Sequence, residues 1–278
     1  MILIRHVQIS VISIVIFLSL AGGAAYAEEV NLAAEKDNTL FEEGDLSNGA
    51  GDHIFSGSTA LGAARRGLIH FDIAGNFPAG ATIDAVQLTL NVSKVPDTTP
   101  KNFDLYRLTS DWGESSSNAP GEEGAGTEPA ADDATWSHTF FPFEFWSEAG
   151  GDFSDVASAT TTVGGLGIVT WLTTPALVTD VQQWLDQPTA NFGWLLLGDE
   201  SEALTAKRFD SRETGGALAP SLRILFTPAP TGACCAVTGE CSESLESVCR
   251  DAGGFFQSPG SSCELILECP IFEDSFEG

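Results

Sequence analysis

The aromatic residues best suited to bind a ligand lie in segments that do not alternate like strands. Sugars stack their apolar faces on flat rings, and a few polar groups beside such rings complete a ligand site. The aromatic candidates are Trp112, Trp136, Phe143 and Trp146, and the last two belong to the run FFPFEFW at 140–146. The alternative is that these rings fill the core, as large aromatic side chains usually do.

Basic residues are scarce in this chain, which has 12 Lys and Arg residues against 39 Asp and Glu residues. Lys207, Arg208 and Arg212 nevertheless lie close together in a strand-like stretch. A guanidinium binds a carboxylate through two parallel hydrogen bonds, so Arg208 or Arg212 is a candidate for holding an acidic sugar. The alternative is an ion pair with an acidic residue on a neighbouring strand.

Acidic side chains on loops are candidates for a structural calcium site. Asp37, Asp52 and Asp210 are the candidate ligands, because Ca²⁺ prefers hard carboxylate oxygens supplied by flexible segments. This expectation rests on composition alone.

The sequence contains only weak patterns for a catalytic site. A nucleophilic triad needs a histidine oriented by an acid, yet no GxSxG elbow accompanies His53, His70 or His138. Glu114, next to the Trp112 segment, is the nominal glycosidase acid, and the favoured alternative is that Asp111 and Glu114 are polar residues of a turn after a strand. We therefore expect a protein that is not an enzyme.

Residues 1–27 have the pattern of a secretory signal peptide. Arg5 precedes an apolar stretch, and Ala25-Tyr26-Ala27 is a small-x-small cleavage site. The apolar stretch is shorter than a membrane span requires, so we expect a secreted or cell-surface protein without a transmembrane span in its mature form. The formal net charge of −27 makes nucleic acid and bare anionic lipid unsuitable partners.

The region 28–228 is predicted to be an all-β, jelly-roll-type sandwich. Apolar residues alternate in 69–73, 86–92 and 222–226, the period of half-buried strands, whereas 168–172 and 194–197 read as strands covered on both faces. One amphipathic helix interrupts the strands, with Thr174 as its cap, Pro175 at its first position and Trp184 on its apolar stripe. The Gly- and acid-rich stretch 121–133 is expected to be a solvated loop, with a ligand-site rim as the alternative.

A linker at 229–232 separates the sandwich from a predicted six-cysteine module at 233–270, and a tail follows at 271–278. So short a module needs covalent staples, and an exported chain meets oxidising conditions. Adjacent Cys234 and Cys235 should bond to different partners; a zinc site is the weaker alternative, because no CxxC pair is present. The predicted disulfide cysteines are Cys234, Cys235, Cys241, Cys249, Cys263 and Cys269.

Nine short segments of the sandwich region resemble, in content and in order, the motifs of a known family. They are DNTLFE (37–42), RRGLIHFD (65–72), FPAGATIDAVQLTLNV (77–92), LYRLTSDWGE (105–114), DATWSHTFF (133–141), DVQQWLDQP (180–188), NFGWLLLG (191–198), AKRFDSRE (206–213) and PSLRILF (220–226). This order resembles the DNRLRE-domain family, secreted bacterial jelly-roll modules grouped with carbohydrate-binding modules. The long acidic loop at 114–133 departs from the family pattern. The resemblance implies a jelly roll and glycan association without catalysis.

Two further segments resemble parts of exported bacterial proteins. The cysteine module, with its GACC start and AGGFFQ at 252–257, looks like a short repeat of secreted proteins, and IFEDSFEG at 271–278 is similar to a sorting or anchoring tail. The sequence thus favours a secreted module that binds a polysaccharide or a cell-surface glycan. A structural or adhesive surface protein and a polysaccharide lyase or hydrolase are the alternatives.

Overall fold

The computed structural model describes residues 26–266 and Cys269. Two compact units divide the chain, one ending at Ala229 and the other beginning at Pro230. The predicted tail at 271–278 and all but two residues of the predicted signal peptide lie outside the described residues. Within the described part, no helix has the length and apolar character needed to cross a membrane.

The first unit is built from antiparallel strands and one α-helix. Its strands are β1 (Glu28–Ala33), β2 (Lys36–Phe41), β3 (His53–Ser58), β4 (Ala64–His70), β5 (Thr82–Lys94), β6 (Lys101–Leu108), β7 (His138–Phe140), β8 (Glu144–Phe145), β9 (Phe153–Val163), β10 (Gly167–Trp171), β11 (Trp194–Leu197), β12 (Lys207–Asp210) and β13 (Ser221–Thr227). The helix, α1, runs over Pro175–Asp186.

Eleven of these strands form one curled antiparallel sheet in the order β1-β13-β5-β12-β3-β4-β11-β6-β9, with β10 on β5 and β2 on β4. The curl brings the two halves of the sheet face to face around the main core. Ile224 of β13 lies opposite Val86 of β5, and Trp194 of β11 opposite Ile69 of β4; all four side chains are fully buried. The predicted all-β sandwich is confirmed, as is its period-two pattern.

Helix α1 begins as predicted. The Thr174 side chain accepts a hydrogen bond from the Leu177 N–H at 3.1 Å, and Pro175 occupies the first helical position, where its missing N–H has no consequence. Its apolar stripe enters the main core, where the ring of Trp184 packs edge-on against Trp194 with 4.5 Å between centroids. Trp184 is therefore a core residue.

A second core lies on the other face of the sheet, beneath the long connection between β6 and β9. Leu68 and Leu195 point into it, while Ile69, Trp194 and Leu196 point into the main core. Strand β11 is thus covered on both faces, as predicted. His70, at the end of β4, is 9% exposed, its Nε2 lies 3.2 Å from the Asn191 carbonyl, and burial lowers the pKa of its imidazole.

The prediction that 168–172 is covered on both faces is also wrong. Among the described strands, β10 pairs with β5 alone, and Ile168 is 60% and Leu172 64% exposed, whereas Trp171 is fully buried. A dense run of apolar residues does not by itself distinguish a central strand from an edge strand with one solvent-exposed face.

The second unit is a small disulfide-bonded module. It contains β14 (Gly232–Cys235), β15 (Cys241–Ser244), α2 (Glu246–Asp251) and β16 (Phe255–Phe256), with β14 in the middle of the three strands. Three disulfides connect it, namely Cys234–Cys249, Cys235–Cys269 and Cys241–Cys263. The neighbours Cys234 and Cys235 bond to different partners, as predicted, so all six cysteines are used by disulfides rather than by zinc.

Candidate functional site

A pocket of about 440 Å³ lies on the outer face of the sheet beside β3, β5 and β12. Three of the 12 basic residues of this acidic chain line it, and so do several apolar side chains. The residues important for its chemistry are Phe55, Arg65, Lys94, Val95, Glu122 and Arg208. We call it the basic pocket.

Strand register brings two cations and an aromatic ring together. Arg208 of β12 lies directly opposite Lys94 of β5 on one side and opposite Phe55 of β3 on the other. The ladder shifts register after Arg208, and Ser93 of β5, left without a partner, accepts a hydrogen bond from Arg208 Nε at 3.1 Å. Like charges directly opposite each other destabilise a sheet, so this pairing requires an anion nearby.

That anion is the carboxylate of Glu122, which comes from the long loop between β6 and β7. One oxygen, Oε2, accepts hydrogen bonds from Lys94 Nζ at 3.0 Å and from Arg208 Nη1 at 2.8 Å. The hydrogen bond from Lys94, with the positive charges of Lys94 and Arg208, lowers the pKa of Glu122. The Glu122 side chain is 69% exposed, whereas that of Arg208 is only 15% exposed.

The residue after Glu122 fixes the loop. Glu123 has φ of 64° and is 7% exposed, and its carboxylate accepts hydrogen bonds from the backbone N–H of His53 at 2.9 Å and from Asn48 Nδ2 at 3.0 Å. Asp133 is also fully buried, and Ser47 bridges to Thr127. The loop 121–133 is solvated over most of its length, as expected, but it is anchored at Glu123 and Asp133, whose buried carboxylates accept hydrogen bonds from backbone and amide N–H groups.

The rest of the pocket wall combines the buried cation Arg65 with apolar side chains such as Phe55. Phe55 is 8% exposed, and an added Cβ at Gly124 would lie 3.4 Å from its ring. The buried guanidinium of Arg65 pairs with Glu43 and donates from Nη2 to the Gly124 carbonyl at 3.2 Å. An ammonium and a guanidinium beside apolar surface form the arrangement that binds a carboxylate attached to a ring with an apolar face.

The expected aromatic platform is not formed by Trp112 and Trp146. Both are in the second core, with 0% and 5% exposure, and their indole N–H groups donate to the backbone carbonyls of Phe192 and Thr135. Their assignment as stacking residues is corrected, because rings buried under the loop offer no face to a sugar.

The other two aromatic candidates lie apart from the basic pocket lining. Trp136 is half-buried, and the Arg66 guanidinium carbon lies over it, 4.8 Å from the ring centroid. Phe143 is 86% exposed in the connection between β7 and β8. Phe143 is therefore the one aromatic candidate with an open ring.

Arg212 does not line the basic pocket. It lies in a separate, largely buried cluster of carboxylates. Its Nε donates to Glu114 Oε1 at 2.9 Å, its backbone N–H donates to Asp37 Oδ2 at 2.8 Å, and it pairs with Glu213 at 3.0 Å. Oxygens of Asp37, Glu114 and Glu213 all lie within 4.8 Å of one another. Burial raises the pKa of Asp37 well above its usual value and raises that of Glu114 to about 7.

The three predicted calcium ligands do not converge. Among the described residues, Asp37 shares its carboxylate cluster with Glu114 and Glu213, and neither Asp52 nor Asp210 is part of it. Asp210 accepts a hydrogen bond from Asn91 at 2.6 Å, and Asp52 is exposed. The calcium assignment of these three residues together is therefore corrected.

Sequence reasoning found Arg208 through the scarcity of basic residues but missed Lys94, Phe55 and Glu122. Arg208 and Lys94 are brought together by strand register, and Arg208 and Glu122 by a long loop, neither of which is visible in local patterns. The usable signal is that Lys94, another rare cation, lies two residues after the alternating stretch 86–92.

The chain matches no protein-family model, and no curated protein matches it.

Proposed function

We propose that the protein is a secreted, non-catalytic module that binds carbohydrate, and that an acidic sugar binds in the basic pocket. The observation that carries this proposal is the placement of Arg208 opposite both Lys94 and Phe55 in the sheet. The resemblance to the DNRLRE-domain family supports the carbohydrate part of the proposal.

Electrostatics favour an anionic ligand at this place. The pocket presents the two positive charges of Lys94 and Arg208 against the single carboxylate of Glu122, and Arg65 is already paired with Glu43. This leaves one excess positive charge in a chain whose formal net charge is −27. A long polyanion is repelled by the remaining surface, so short acidic oligosaccharides suit the pocket best.

The burial of Asp37 and Glu114 argues against these two residues as a glycosidase pair. A glycosidase needs two carboxyl groups on either side of a sugar in an open cleft. Asp37 is 1% exposed and the Glu114 side chain 7%, and both are bound to Arg212, so neither is open to a substrate.

Calorimetric titration of the mature protein with trigalacturonate and with its uncharged methyl ester tests the proposal. We expect saturable binding of the acid and weaker binding of the ester. Arg208→Gln should weaken binding of the acid about tenfold or more, because it removes a charge-assisted hydrogen bond from a mostly buried guanidinium.

Arg223→Gln is the matched control. Arg223 is also a strand arginine that pairs with one glutamate, Glu29 at 2.6 Å, and it carries the same charge. Equal losses in the two variants would mean non-specific attraction and would overturn the pocket assignment. Absence of binding to either sugar by folded protein would overturn carbohydrate binding at this pocket.

A structural or adhesive role at the cell surface is the second candidate. Five of the six tryptophans are buried, at 5% exposure or less, so they strengthen the fold rather than present a sugar-stacking row. This role gains support if the titrations show no binding.

A further inference from the structure

We propose that Glu122 is a built-in competitor, whose carboxylate occupies the position that the ligand's carboxylate takes in the basic pocket. Binding then requires Glu122 to swing out, and this residue sets the affinity of the pocket for acidic ligands. The inference rests on the proposed function, because it concerns the same pocket.

The contacts of Glu122 define the position. A single oxygen bridges Lys94 Nζ and Arg208 Nη1, the two donors that converge across the β5–β12 ladder. The Nε of Arg208 is already bound to Ser93 Oγ. A ligand carboxylate that accepts from these same two donors, Lys94 Nζ and Arg208 Nη1, therefore takes the place of the Glu122 carboxylate.

The Glu122 side chain can rotate away from the two cations without movement of the loop backbone. Its backbone is fixed, because its carbonyl accepts the Gly124 N–H at 2.8 Å and the next residue, Glu123, is anchored by His53 and Asn48. Its side chain is 69% exposed, and the ion pairs with Lys94 and Arg208 are the contacts that hold its carboxylate. Side-chain rotation alone therefore opens the position to another carboxylate.

The Glu122 carboxylate competes with a free ligand because the protein chain holds it next to the pocket. A group on a short tether has a millimolar effective concentration at its site, so it lowers the apparent affinity for any free group that needs the same position. Exposed ion pairs are individually weak, so the competition is modest and a multivalent contact overcomes it.

Glu122→Gln tests the inference, with Glu29→Gln as its control. Both changes remove one negative charge, and both residues pair with a strand arginine, but Glu29 pairs with Arg223. We expect Glu122→Gln to bind trigalacturonate about threefold to tenfold more tightly, the range that corresponds to the loss of two exposed ion pairs. Glu29→Gln should bind like the unchanged protein, and the methyl ester should bind both variants equally.

The outcomes separate the two proposals. If the unchanged protein binds trigalacturonate and Arg208→Gln loses that binding, while Glu122→Gln has unchanged or weaker affinity, then the pocket assignment stands and the competitor role of Glu122 is wrong. If both glutamine variants gain affinity equally, a general charge effect replaces the competitor role. If no variant binds, the proposed function itself fails.

Discussion

The indole N–H of Trp194 donates a hydrogen bond to the Asp180 carboxylate, 2.9 Å away, in the interior of the sandwich. Asp180 lies in α1 and Trp194 in β11, so this contact fixes the helix to the sheet. The same carboxylate oxygen accepts the Ser158 hydroxyl, and burial raises the pKa of Asp180.

Replacing Asp180 with alanine should lower the free energy of unfolding by about 2–4 kcal/mol, because two buried donors, on Trp194 and Ser158, lose their acceptor. Urea denaturation followed by tryptophan fluorescence measures this. Asp186→Ala, at the exposed end of the same helix, should change stability by less than about 0.5 kcal/mol. Equal effects of the two substitutions would contradict the account.

Stability should fall as the pH rises from 5 to 8. The pKa of Glu114 is about 7 in the folded protein against an ordinary value of 4.5, so the folded state holds a proton that the unfolded state has released. The resulting stabilisation is complete at a pH below the unfolded-state pKa of Glu114 and is lost as the pH rises through the folded-state pKa. We expect the free energy of unfolding to fall by about 2–3 kcal/mol over this range.

Urea midpoints at pH 5, 6, 7 and 8 check this prediction. Glu114→Gln keeps the shape of the side chain and cannot ionise, so its profile should be flatter, with the remaining slope assigned to Asp37. Glu148→Gln, a change of an exposed carboxylate, should leave the slope as it is. A flat profile for the unchanged protein would refute the prediction.

Truncation of Trp112 should reduce stability rather than alter a binding surface. Trp112→Ala should cost about 3–5 kcal/mol by leaving a cavity in the second core. Phe143→Ala, which removes an 86% exposed ring, should change stability by less than about 0.5 kcal/mol. Thermal or urea denaturation distinguishes the two, and a large loss in Phe143→Ala would show that its ring packs against another surface.

Removal of the Cys241–Cys263 disulfide should destabilise the C-terminal unit by about 3 kcal/mol, because the bond closes a loop with a sequence separation of 22. Hydrogen exchange in Gly232–Cys235 of the double serine variant should quicken. Ser242→Ala, on the exposed side of β15, should leave that exchange unchanged. Slow exchange in the double variant would mean that the remaining two disulfides suffice.

Local patterns predicted a large part of this fold. Alternation identified the strands that meet through Ile224 and Val86, and cap chemistry at Thr174 located the helix. Burial of Trp112 could not be predicted, because a ring in a loop segment suits a second core and an open site equally well. The basic pocket depends on the β5–β12 register and on a loop contact between Glu122 and Arg208, which are set by the tertiary structure.

Two adjacent residues of one loop are under opposite constraints. Glu123 combines a left-handed backbone with a buried carboxylate that binds His53 and Asn48, so substitution there disturbs the sandwich. The exposed side chain of Glu122, in contrast, forms its ion pairs with Lys94 and Arg208 of the basic pocket. During divergence from this sequence, a change at position 122 from an acidic to a neutral side chain therefore costs only two exposed ion pairs, and ligand preference can evolve by a single substitution there.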